Sequence, residues 1–425
     1  MACNVPCGVS ELAYSPQKLI QQDIDHSYHV ALTPHNSIIP GNNIIFHIEG
    51  STDWTDLGNT LLEIDFQVKT SAGADVESTK NVCPVNNIFH SLWSQVKVQI
   101  KNTTVSFPSS NYGYKAYLEH LVNYSADSKN TWMQALGWHM DEATKFDLHT
   151  NSALAIRRKY IEAGAMYKVR GKLSTDIGNQ PLLIPSHTDV TYTLTPQSDS
   201  FALMNFETAT DYKIVIASAK LLVRKVKLYP DRINQFERMI AKDPIRIPIS
   251  QVKVTAVSVP ANMSTFEQTA LFSGELPQVL LCGLVSNASY AGQKNLNPFN
   301  FTHASLNSIQ IKLNELLIPT YPISLNFTKK LVYEGYESLF QLVNKWSADW
   351  SNGLSVEDYV GGSALYGFHL SQDSLCRGDE PPLMGQVDIS LKFDRAPDET
   401  MTLIIYSATP AEIVIDKFRN VLLSA

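Results

Sequence analysis

The nearest approach to a ligand set in this chain is His26 and His29, which lie beside Asp23 and Asp25 and not far in sequence from Cys3 and Cys7. Imidazoles with thiolates are the donor mix of a zinc site. The residues fall, however, in a polar N-terminal stretch with no strand pattern to hold ligands in fixed geometry, so no metal site is expected there. A two-barrel metal enzyme of the bicupin kind would need a His-x-His pair with a downstream Glu and a further His. The sequence has no such pair. His369, after Tyr366 and Phe368, reads as a hydrogen-bonded strand residue rather than a base, and Gly361-Gly362 reads as a turn before a strand at Leu365. There is no Gly-x-Ser-x-Gly elbow, no phosphate-binding Gly-rich loop and no His-Glu-x-x-His helix. The sequence therefore assigns no catalytic residue, no cofactor and no metal.

The elements that would have to position any site are short strands. Ile44 to Ile48, Leu61 to Val68 and Val96 to Ile100 alternate apolar with polar residues, and that period of two puts one face of each strand into a core. Several of these elements occur twice. Pro181 to Leu194 is echoed about 200 residues later by Pro382 to Phe393, and the β-branched strands that follow, Asp211 to Ala217 and Glu399 to Tyr406, match as well. Val96, Val98 and Ile100 before Asn102 correspond to Ile309, Ile311 and Leu313 before Asn314. Between these blocks, Tyr114, Tyr117, Leu118 and Leu121 recur at helical spacing, and a second Tyr-x-x-Tyr helix runs from Tyr333 to Leu342. Blocks repeated in one order imply a duplicated β fold.

The 425 residues exceed the ceiling of about 250 to 300 for one core. The reading is an N-terminal arm over 1–35, a first β domain over 36–230, a linker helix over 231–245 and a second β domain over 246–425. Asp231 is placed to cap the linker helix, Pro244 closes it, and Ile233, Phe236 and Ile240 form a stripe able to pack across the junction. Domains of this size with helix-bearing connections suit eight-stranded jelly rolls better than immunoglobulin-like sandwiches. The fold class is all-β, two consecutive jelly-roll domains with short helices in the connecting loops.

Composition excludes several functions. Net charge is −7 and the isoelectric point about 5.9, whereas proteins that hold nucleic acid through its phosphates carry a basic excess. Sequence-specific nucleic-acid binding is not expected. The basic groups Arg157, Arg158, Lys159, Lys168, Arg170 and Lys172, and Arg224, Lys225 and Lys227, read as solvated strand edges. No uncharged apolar run reaches the roughly 18 residues of a membrane span. The start lacks a secretory pattern, so cytosolic synthesis is expected and the Asn-x-Ser/Thr sequons at Asn102, Asn123, Asn262, Asn287, Asn300 and Asn326 are chance matches. Cys3, Cys7, Cys83, Cys282 and Cys376, odd in number and scattered, are expected as free thiols, mostly buried.

The sequence also carries a family resemblance. Phe46 to Gly50 with Trp54, Asp56 and Leu57, then Val85 to Asn87 with His90 to Leu92, then Tyr112 to Tyr124, resembles the double jelly-roll major capsid protein of Polinton/Maverick elements and adintoviruses. Gly385 to Phe393, Thr402 to Tyr406 and Ile413 to Val421 are similar to that family's closing strands. The resemblance runs from about residue 36 to the C-terminus and is most specific over Val85 to Tyr124. It implies a structural protein of an icosahedral double-stranded DNA virus or virus-like element, a component of the virion capsid. Its partners would be itself as a homotrimer, neighbouring capsomers and a single jelly-roll penton protein. Tyr114, Tyr117, Leu121, Trp132, Trp138, Trp346 and Trp350 are the candidate contacts between copies, since Trp and Tyr are favoured at interfaces. The competing class is a cellular carbohydrate-binding or bicupin-like double β-sandwich.

Overall fold

The structure, a computed structural model, describes residues 23–107, 109–208, 210–370 and 383–424. Its first half contains β1 (Ile24–Leu32), β2 (Ile44–Ile48), β3 (Trp54–Thr70), β4 (Trp93–Ile100), β5 (Thr103–Thr104), β6 (Tyr167–Gly171), β7 (Val190–Pro196) and β8 (Tyr212–Leu228). Its second half contains β9 (Ile245–Val259), β10 (Thr265–Glu275), β11 (Val279–Ser286), β12 (Leu306–Leu313), β13 (Leu316–Ser324), β14 (Leu365–His369), β15 (Met384–Phe393) and β16 (Met401–Ile415). A last strand, β17 (Val421–Ser424), pairs with the end of β16.

The first half forms sheets ordered β1-β8-β3-β6 and β2-β7-β4-β5, and the second forms β9-β16-β11-β14 and β10-β15-β12-β13. Adding eight to each strand number of the first pair gives the second pair. Two antiparallel four-stranded sheets wired in this order are a jelly roll, and the chain contains two. The repeated blocks fall on equivalent strands: β7 with β15, β8 with β16, β4 with β12, and a helix between the fifth and sixth strands of each copy. Alternation does what the pattern implied. Leu62, Ile64, Phe66 and Val68 of β3 are buried with polar neighbours facing out, as are Val387, Ile389 and Leu391 of β15.

Three sequence expectations are corrected. Residues 24–32, assigned to an arm, form β1, which pairs with β8 through Ile24↔Leu228 to Leu32↔Leu221. His26 and His29 therefore stand on an edge strand, while Cys3 and Cys7 lie outside the described residues. The strand escaped detection because it is exposed along most of its length, so its residues carry no apolar alternation. The linker helix, α4 below, starts one residue before Asp231, at Pro230, with Tyr229 as its cap residue and no side-chain cap. Proline's fixed φ suits the first helical position, and Asp231 contributes instead as a first-turn carboxylate beside the positive end of the helix. The basic groups are not uniformly solvated: Lys168 and Arg170 do flank Glu63 from the edge strand β6, but Arg157 and Lys225 are buried. Cys83 and Cys282 are buried free thiols, pushed up to about 12 by burial, whereas Cys376 lies outside the described residues.

Because neighbouring strands are antiparallel throughout, the long connections β3–β4, β5–β6 and β7–β8 leave one end of the first copy, and their counterparts leave the same end of the second. These ends touch. The Thr144 N–H donates to Gly361 O at 2.7 Å and the Asn205 N–H to Lys294 O at 2.7 Å. Among the helices of the connections are α1 (Tyr112–Asn123), α2 (Ala126–Asn130) and α3 (Ser152–Lys159) in the first half, and α5 (Tyr333–Gln341) and α6 (Val356–Val360) in the second. Between the halves lies α4 (Pro230–Lys242). Its Phe236 packs on Trp54 with ring centroids 5.2 Å apart, and Glu237 pairs with Arg419 near the C-terminus.

Candidate functional site: the junction of the two halves

α1 is the axis of the junction. Every residue from Tyr112 to Val122 is buried, which fits a helix carrying apolar side chains all round, Ala116, Leu118 and Val122 as well as the tyrosines. Its second-half contacts are aromatic. Tyr117 stacks on Phe299 with centroids 4.1 Å apart, backed at 5.3 Å by Trp138 of its own half, and Tyr114 stands edge-on to Phe299 at 5.6 Å. Each such pair contributes about 0.5–1.5 kcal/mol beyond the area it buries. At the N-terminal end, Ser109 and Asn111 donate to Val254 O of β9 at 3.1 and 3.3 Å.

Buried charge completes the seam. The Asp141 carboxylate accepts from Arg157 Nη2 at 2.7 Å, Asn151 Nδ2 at 3.0 Å and Asn297 Nδ2 at 3.2 Å, so one side chain ties α3 to the second half. Lys115 of α1 pairs with Asp176 at 2.5 Å. Glu119, one turn later, accepts from Ser174 and from Tyr406 Oη of β16 at 3.1 Å, and burial holds its carboxyl above the ordinary range. His120 is driven the other way, down to about 3, by burial and by the Lys129 charge. A cleft of about 690 Å³ lies against this cluster, bounded by Glu119, His120, Lys172, Asp176, Gln278 and Tyr406. Among the described residues no group of three or more His, Cys, Asp or Glu is placed to hold a metal ion. No helix among them is long and apolar enough to cross a membrane.

The candidate contact residues divide sharply. Tyr114, Tyr117, Leu121 and Trp138 are buried inside the chain and have no surface to offer another copy; Tyr114 and Tyr117 meet Phe299 of the second half instead. Trp132, Trp346 and Trp350 are 50%, 50% and 60% exposed. Trp132 packs edge-on against Tyr124 at 5.2 Å, just past the end of α1, and Trp346 and Trp350 follow α5. Sequence reading missed the polar part of the seam, above all Asp141, Lys129 and Lys345. The only signal for them was a lysine or aspartate isolated among apolar and aromatic residues.

No family model matches the sequence. A Caenorhabditis elegans protein described as uncharacterized protein F54H12.2 is 24% identical over 388 residues, covering 87% of this chain and 90% of that protein. Among solved structures, the Sputnik virophage structure superposes with a TM-score of 0.65 at 11% identity, over 98% of this chain and 91% of that one. The crystal structure of the PBCV-1 protein VP54 gives 0.60 at 13% identity, over 96% and 99%. The mavirus major capsid protein gives 0.53 at 12%, over 93% and 90%. The fold is a double jelly roll. At such identities the likeness is one of architecture, and it extends over nearly the whole length of both chains.

Proposed function

We propose that this chain is a major capsid protein that assembles as homotrimers, each a pseudo-hexameric capsomer of an icosahedral double-stranded DNA virus or virus-like transposable element of the Polinton/Maverick kind. The observation that carries the reading is the duplication itself. Two jelly rolls of identical strand order sit in one chain, so three chains around a threefold axis present six similar modules and can occupy a hexagonal lattice position. A flexible tether would blur that symmetry, and the aromatic and charged seam around α1 opposes it.

In this reading the domains run from β1 to β8 and from β9 to the C-terminus, with α4 between them. Trp132, Trp346 and Trp350 are the contact residues between copies. Neighbouring capsomers and a single jelly-roll penton protein complete the shell, and the virion capsid is where the protein resides. Light scattering and negative-stain imaging of the purified chain test the proposal. Trimers with hexagonal outline are expected at micromolar concentration. A stable monomer under those conditions would overturn it.

A further inference from the structure

α1 ends at Asn123, and the carbonyls of its last turn have no donors within the helix. Two lysines from opposite halves of the chain meet them. Lys129 of α2 donates to Leu121 O at 2.6 Å and to Asn352 O at 2.7 Å. Lys345, beyond α5, donates to Asn123 O and, at 3.5 Å, to Val122 O. Both residues are buried, and among the described residues no carboxylate forms an ion pair with either. Each also sets its side-chain nitrogen over a tryptophan, a contact that offsets part of the cost of burying a charge: Lys129 Nζ is 5.8 Å from the Trp138 ring centre and Lys345 Nζ is 4.4 Å from that of Trp350.

A helix C-terminus carries about half a negative charge. It offsets one buried ammonium at most, and here it faces two. A neutral lysine amine keeps two N–H bonds, matching the two carbonyls that Lys129 meets.

We infer that Lys129 and Lys345 form a proton-controlled clasp between the connecting loops of the two halves, and that its state regulates the surface carrying Trp132, Trp346 and Trp350; the second part rests on the capsid reading. Besides each other, the charged or titratable groups that face the clasp are His120 of α1 and Asp358 of α6. Burial first, and then the Lys345 charge, push Lys129 down to about 7 against a Asp358 contribution that raises it. Burial depresses Lys345 as well. Lys129 is a base whose folded value lies below its ordinary 10.5. Between about 7 and 10.5 the unfolded chain therefore holds the extra proton, so stability rises with pH through that window. Below it both lysines are charged, their repulsion is fully present, and the clasp loosens.

Hydrogen exchange read by mass spectrometry on the full chain, at about pH 6 and about pH 9 and corrected for intrinsic rates, tests this directly. Segments 119–130 and 343–354 should lose protection at the acid value, the loss accruing at up to about tenfold per pH unit from about 9 down to about 7 and levelling off below that. Lys129→Met, which removes both the charge and its hydrogen bonds, should show one level of protection at both values, and Lys129→Arg, which cannot deprotonate, should be open at both. A Lys129→Met protein that follows the wild-type pH response would overturn the clasp. Should that variant fail to fold, Lys345→Met supplies the second arm: with the like charge gone, the wild-type midpoint must move to higher pH, and an unmoved midpoint overturns it equally. Light scattering on the same samples separates the two ideas. Trimers without a pH-dependent exchange difference remove the clasp alone; the difference without trimers removes the capsid reading alone.

Discussion

At the residue scale the decisive feature is how much polar chemistry is buried where the two halves of the chain meet. Asp141 is the clearest case, with Arg157, Asn151 and Asn297 all donating to one buried carboxylate. A buried ion pair is weak support for stability in itself, since desolvation offsets much of its attraction, but removing one partner strands the other charge. Asp141→Ala should accordingly destabilise by about 3–5 kcal/mol, measured by urea unfolding. Pairing it with Arg157→Met should recover most of that loss, because the double variant leaves no uncompensated charge. Single and double variants of equal stability would mean that solvent reaches Arg157 and that the seam is not dry.

At the element scale, α1 is a helix in a β protein, and its placement explains both what was legible in the sequence and what was not. The spacing of Tyr114, Tyr117 and Leu121 announced a helix, and the matching helix from Tyr333 confirmed the repeat. What it could not announce was the partner: the rings that receive Tyr117, above all Phe299, lie in a connection of the other copy, far away in sequence. Strands with one buried face, such as β3 and β15, were readable from alternation. The edge strand β1 was not, since neither of its faces enters the core deeply enough to demand apolar residues. If α1 couples the halves as its packing implies, Tyr117→Ala should do more than lower stability by the roughly 3–5 kcal/mol of a buried aromatic truncation. Calorimetry should change from one transition to two as the jelly rolls unfold separately. A single transition, merely shifted down, would show that α4 and the polar seam suffice to couple them.

At the scale of the whole molecule, the two jelly rolls divide the surface unequally. The connections between β5 and β6 and between β13 and β14 carry five of the six helices named above and converge on the same end of the molecule, and all three exposed tryptophans lie there. Tyr114 and Tyr117 are consumed in joining the halves, and Trp138 is buried beside Tyr117. That leaves Trp132, Trp346 and Trp350, of which Trp132 and Trp346 are each half exposed and supported by a neighbouring ring, Tyr124 and Phe340. Truncating an exposed side chain alters the isolated fold by only about 0.5 kcal/mol. An interface anchor of this type contributes about 2 kcal/mol or more to association. Trp132→Ala and Trp346→Ala should therefore keep the melting behaviour of the separated chain while raising the trimer dissociation constant about thirtyfold each, read by dilution in mass photometry. Tyr321→Ala on β13 is the control, since that ring is 68% exposed yet lies on a strand rather than in the helix-bearing connections. If Tyr321→Ala weakens the trimer and the tryptophan variants do not, copies meet along the edge of the second jelly roll, and the converging loops serve some other contact of the shell.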